Sequence, residues 1–202
     1  MGLASIYAQE MLGYIVMGFP VYVLLRLLYL GIRRVRPTAA HEVLLALCVM
    51  YGIGLVSQTL LPHGYYGVED WRVYAQTITS SQHSLNAVPL RTIWGYVFTH
   101  NDQVSNWGSV ATMNLLANVL LFMPLGFLTP LVRRGATTLR HVLVIGATTA
   151  FAIEAVQFFI GRSADIDDLL LNVLGVLIGY AALAASRKMS ATVPLSDIVE
   201  SS

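Results

Sequence analysis

A short run near the end of the chain gathers residues that could do chemistry: Glu154, Gln157, Arg162, Asp165, Asp167, Asp168 and Asn172. Gln157 follows Glu154 by three positions, which puts both on one helix face. Asp165, Asp168, Asn172, Gly175, Gly179 and Ala182 also recur at spacings of three and four. That second face starts acidic, turns amide and ends small. Asn114 and Asn118, one turn apart, add two more amides earlier in the chain. Carboxylates among apolar residues suit general acid–base work, with Glu154, Asp165 and Asp168 as catalytic candidates. Guanidinium groups suit phosphate or carboxylate, which marks Arg91 and Arg162 as anion contacts. The Asp165-Ile166-Asp167-Asp168 run offers oxygens to a divalent cation, although it has neither the length nor the glycine of an EF-hand loop. Aspartates that open a helix also serve as caps, and that role is expected of at least one of Asp165 and Asp167.

Other chemistries find no residues to carry them. The histidines, His41, His63, His83, His100 and His141, show no i, i+4 pairing, and Cys48 is the one cysteine, so no metal site is expected. There is no Gly-x-Ser-x-Gly and no phosphate-binding glycine loop, and no cofactor is expected. A formal net charge of +1 provides no basic excess for nucleic acid.

The elements that hold these residues are legible from charge scarcity. Of 202 residues 56% are hydrophobic and 11% charged, at a mean hydropathy of +0.66. A soluble domain would carry about a quarter charged residues. Charges cluster and leave five gaps of bilayer length, which for a helix is about 20 residues. The expected fold is an all-α integral membrane bundle of five spans, at about 7–32, 43–62, 112–132, 141–161 and 167–186, in one domain over 1–188. The tail at 189–202 is polar. The first span lacks a positive leader and carries Glu10, so it is expected to be a retained helix.

Lys and Arg set the expected orientation. Arg33, Arg34 and Arg36 follow span one, Arg133, Arg134 and Arg140 join spans three and four, and Arg187 and Lys188 follow span five. Those segments are assigned to the cytoplasm, which leaves the N-terminus outside and the tail at 189–202 inside. The long external segment between spans two and three carries Tyr65, Tyr66, Trp71, Tyr74, Trp94, Tyr96, Phe98 and Trp107. These suit a cap at the membrane interface. Counting from His141, Glu154 lies about 20 Å into the bilayer at 1.5 Å per residue, in its outer half. A hairpin turn centred near Gly161 to Ala164 would set Glu154 level with Asn172 and Gln157 level with Asp168. A polar network from three spans is expected there, and buried polar groups must be paired.

Three segments carry a family resemblance: NVLLFMPLGF from Asn118 to Phe127, EAVQFFIGRSADIDDLLLNVLGVLIGY from Glu154 to Tyr180, and VPLRTI from Val88 to Ile93. They are similar to the VanZ-like family, in which an aromatic residue more often stands where this chain has Leu90. Matching positions are Arg91, Asn114, Asn118, Pro124, Gly126, Glu154, Gln157, Arg162, Asp165, Asp167, Asp168, Asn172 and Gly175; nothing in residues 1–50 matches. The resemblance implies a bacterial plasma-membrane protein, in a family named for a member that gives low-level resistance to the glycopeptide teicoplanin.

Three functions are compatible with these residues. The leading expectation is a ligand site built from Arg91, Asn114, Asn118, Glu154, Gln157, Arg162, Asp165, Asp168 and Asn172. It would take a membrane lipid, a lipid-linked envelope intermediate or a lipoglycopeptide. The second is an intramembrane enzyme acting on a lipid head group, with Asp165 and Asp168 holding a metal and Glu154 as acid or base. The third is a transporter with Glu154 as proton relay, which five spans without an internal repeat make less expected.

Overall fold

The computed structural model describes residues 3–34, 37–61, 72, 75–76, 84–99, 107–132 and 137–192. Tyr65, Tyr66, Trp71 and Tyr74 of the expected cap, His63, His83 and His100, Arg36, Arg133 and Arg134, and the tail beyond Thr192 lie outside the described residues.

Among the described residues there are five long helices: α1 (Leu3–Arg33), α2 (Ala39–Thr59), α4 (Trp107–Val132), α5 (Leu139–Phe159) and α6 (Ile166–Thr192). A short helix, α3 (Arg91–Phe98), precedes α4. Each long helix holds a stretch apolar and long enough to cross a bilayer: Tyr7–Arg33, Ala39–Thr59, Val110–Val132, Leu139–Phe159 and Ile166–Met189. The chain is a multi-pass membrane protein, and its spans fall close to the gaps in the charge pattern. Each of α2 and α5 is started by a Thr-x-x-His cap, in which Thr38 and Thr138 accept the N–H of His41 and His141, both at 3.4 Å.

The centre of the bundle is the pair α4 and α6, and small residues explain how close these helices come. A Cβ placed on Gly126 would lie 2.0 Å from the Val176 carbonyl oxygen. On Gly175 it would lie 2.2 Å from that of Val119, and on Gly179 1.9 Å from that of Met123. Backbone meets backbone, so a side chain of any size is excluded at these positions. The Gly175-x-x-x-Gly179 face is therefore a helix contact of the kind small residues make in membranes. Phe122, Val142, Ala150, Ile153 and Val176 pack as the buried core beside it. Gly146 on α5 makes room for Val176, whose Cγ2 would stand 2.6 Å from an added Cβ.

Helix α1 packs on α2 at the edge. Gly54 faces the Met11 side chain, and Gly18 faces Ile53. At the opposite end of that pair Arg26 reaches across to Glu42, with Nη2 2.6 Å and Nε 2.9 Å from the two carboxylate oxygens. That bidentate geometry is the strong form of the ion pair.

Between α5 and α6 the chain makes a Schellman turn. Gly161 sits at φ 77°, its N–H donates to the Phe158 carbonyl, and the Arg162 N–H donates to that of Gln157 at 2.9 Å. Ala164–Asp165 (β2) then runs parallel to Leu85–Asn86 (β1), with Leu85 opposite Ala164 and Asn86 opposite Asp165. This two-residue ladder ties the segment before α3 to the α5–α6 turn.

Candidate functional site

Asp165, Asp167 and Asp168 have three different tasks, set by where the start of α6 aims them. Asp165 precedes the first residue of α6, and its Oδ1 accepts the N–H of Asp167 at 2.9 Å, an N-cap bond. The same carboxylate accepts the Asn86 amide at 3.1 Å and the Thr92 hydroxyl. The capping expected of Asp165 is thus present. Asp167 is fully buried and turns to another helix altogether. It accepts the backbone N–H of Leu90 on one oxygen, and those of Thr92 at 2.7 Å and Ile93 at 3.1 Å on the other.

Those donors are the exposed start of α3. Leu90, its N-cap residue, lies at φ 67° and offers no side-chain cap. The first N–H groups of any helix lack internal partners. Asp167 supplies the missing acceptor in trans and adds negative charge at the positive end of the helix dipole. The VPLRTI and Asp-Ile-Asp-Asp segments are two halves of one joint.

Asp168 points elsewhere, receiving the Asn118 amide at 2.6 Å across the α4–α6 seam. It borders a cavity of about 510 Å³, whose polar wall includes Asn114, Asn118, Glu154, Gln157, Arg162, Asp165, Asp168 and Asn172. Thr59, Thr92 and Tyr96 join them, and Met11, Met113, Leu121 and Ile153 are among the apolar contributors. Eight of the nine expected ligand residues converge there. Arg91 does not: it is exposed on the first turn of α3, outside that wall.

The internal bonds of the cavity define what it leaves open. Glu154 is buried, and its Oε2 accepts the Asp165 N–H at 3.0 Å. Gln157 and Arg162 both donate to the Thr59 carbonyl, at 2.9 and 2.6 Å, so a backbone oxygen at the end of α2 takes two side-chain donors. The level pairing of Gln157 with Asp168 expected from a symmetric hairpin is not the contact formed. Residues 160–165 leave the helix through the Schellman turn and β2, which carries Asp165 back to Glu154. Asn114 donates to the Tyr96 hydroxyl at 3.2 Å, bringing α3 onto α4. Asn172 is 2% exposed, and among the described residues no hydrogen bond reaches its Oδ1.

Several participants carried no signal in the sequence. Asn86 and Thr59 look like ordinary loop and helix residues; the pairing of β1 with β2 brings Asn86 to Asp165, and the end of α2 brings the Thr59 carbonyl to Gln157 and Arg162. Tyr7, Ala8 and Met11 bring α1 to the wall as well, from a part of the chain with no recognised motif. Among the described residues no three His, Cys, Asp or Glu side chains are grouped so as to hold a metal ion.

A five-span helical membrane protein with a charged, amide-rich cavity at one end of its bundle is the class these features define. A protein-family model described as VanZ/LLP1 matches residues 43–187, more than half the chain, and the protein belongs to that family. The match begins within α2 and leaves α1 outside it. No curated protein and no solved structure matches the chain.

Proposed function

We propose that the protein binds an amphipathic molecule of the bacterial cell envelope, a lipid-linked intermediate or a lipoglycopeptide, in the cavity between α4, α5 and α6. The observation that carries this reading is the cavity itself. Charged and amide groups line one part of its wall and apolar side chains the rest, within helices that otherwise face lipid. Ionisable groups at membrane depth are costly and mark functional sites by default. Glu154 and Asp165 also border a neighbouring cavity of about 280 Å³ whose other walls include Phe151, Phe158 and Phe159, which suits an acyl or aryl substituent.

Binding is favoured over metal-assisted head-group chemistry because Asp165, one of the two acids that would hold the metal, is taken up by the Asp167 N–H, the Asn86 amide and the Thr92 hydroxyl. The distribution of Lys and Arg supports an orientation in which this end of the bundle faces outward from the plasma membrane and the C-terminus lies in the cytoplasm. Low-level protection against teicoplanin is the physiological form the proposal takes. The test is the teicoplanin susceptibility of a sensitive bacterial host expressing wild type, Glu154→Gln or Arg162→Ala. Protection by wild type that either variant weakens is expected. Equal susceptibility with and without the wild-type protein sinks the resistance role.

A further inference from the structure

We propose that the cavity receives the protonated primary amine of an aminophospholipid head group, with the phosphate of the same lipid at Arg162. This deepens the binding reading above and rests on it. Three acceptors with capacity to spare border the inner part of the cavity. Asn172 Oδ1 is buried with no donor among the described residues. Asp168 receives Asn118 on Oδ1, and among the described residues no hydrogen bond reaches its second oxygen. Glu154 receives the Asp165 N–H on Oε2, and among the described residues no hydrogen bond reaches Oε1.

Asp168 and Asn172 are one turn apart on α6, and Glu154 stands across from them on α5. A buried acceptor left unmade costs its desolvation, so the site calls for a donor-rich guest. A primary ammonium carries three N–H donors and no acceptor, and it also answers the negative charge. A phosphate placed at this depth would meet two carboxylates.

The outer part of the site has the opposite character. Arg162, in the turn before α6, is exposed and uses Nη1 on the Thr59 carbonyl, and its guanidinium has further N–H donors for an anionic oxygen. Acceptors inside and donors outside match a zwitterion that enters amine first. A choline head group has the charge and no N–H; a glycerol head group has hydroxyls and no cation.

The experiment is native mass spectrometry of the purified full chain offered phosphatidylethanolamine, phosphatidylcholine and phosphatidylglycerol with identical acyl chains. One charge-assisted hydrogen bond difference is worth about tenfold, so phosphatidylethanolamine should be retained over the other two by that factor or more. The double variant Glu154→Gln/Asp168→Asn, and Asn172→Leu separately, should erase the preference. Retention of the choline or glycerol lipid equal to that of the ethanolamine lipid overturns the inference and leaves the wider binding reading standing. Retention of no lipid also overturns the inference, and the wider binding reading then stands or falls on the teicoplanin test. The wild-type comparison decides the matter even if a variant does not fold.

Discussion

Replacing Asp167 by Asn changes one atom and tests the joint that holds α3 against the bundle. Oδ1 of the carboxylate takes the Leu90 N–H, and Oδ2 takes those of Thr92 and Ile93. An asparagine side chain keeps one acceptor oxygen and presents an NH2 group where the other stood. In the better of its two orientations it keeps two backbone bonds and faces one donor with another. In the worse it keeps one. Hydrogen bonds to a charged acceptor contribute about 1.5–3 kcal/mol each, and loss of the charge also weakens those that remain. Water recovers part of this, because α3 has no fully buried residue. Opening of α3 should become easier by about 3 kcal/mol, or roughly a hundredfold in its opening equilibrium.

Amide hydrogen exchange reads this directly. The Trp94 N–H bonds to the Leu90 carbonyl and reports the first turn, and the amides through Phe98 report the rest. Their protection should fall by about two decades in Asp167→Asn if local opening governs exchange. Protection at Val142 and Ile153 in α5, which belong to the core, should not change. Asp168→Asn is the matched control: it removes the same charge one residue away without touching α3, and should leave these amides as in wild type. Unchanged protection of Trp94 to Phe98 in Asp167→Asn would refute the joint.

Three further outcomes follow from local geometry. Gly179→Val should destabilise the protein by more than the 1–3 kcal/mol or so typical of overpacking, since the obstacle is the Met123 carbonyl, whereas Gly13→Ala, with open space around it, should be tolerated; thermal unfolding in detergent compares them. Leu90→Val should be less stable than Leu90→Gly by about 1 kcal/mol or more in the same assay, because a branched side chain resists positive φ and Leu90 is 60% exposed, so little packing is lost with it. Arg26→Glu alone should lower the yield of folded protein by setting two acids together, and Arg26→Glu with Glu42→Arg should restore much of it; no recovery in the swap would mean that the pair contributes nothing.

The five spans were legible because lipid imposes a crude rule: charges must leave the hydrocarbon, and their gaps show where the helices are. The glycine face of α6 was legible for a related reason, since small residues at four-residue spacing have few other uses in a span. Loop chemistry obeys no such rule. Asn86 becomes a site residue through a two-residue parallel ladder, and nothing in Leu85–Asn86 distinguishes it from any other extended pair. The level pairing of Gln157 with Asp168 assumed helix up to the turn. The helix ends at Phe159 instead, Ile160 and Gly161 make the turn, and the chain returns to α6 through the extended pair Ala164–Asp165. Arg91 illustrates the same difficulty from the other side. Its guanidinium suggested an anion contact, yet the segment acts through its backbone N–H groups, to which side-chain identity gives no clue.

That division of labour changes which acids deserve functional tests. Asp165 and Asp167 face donors of the protein itself, and substitution of either should first loosen the joint between α3 and α6. Loss of function in such variants would therefore say little about ligand chemistry. Asp168, Glu154 and Asn172 each present an acceptor toward the cavity, and two of them retain a partner in the fold that would hold them in place after a conservative change. Glu154→Gln can still accept the Asp165 N–H, and Asp168→Asn can still accept the Asn118 amide. A loss of binding in these two, with α3 protection intact, would separate recognition from architecture, which no substitution at Asp165 or Asp167 can do.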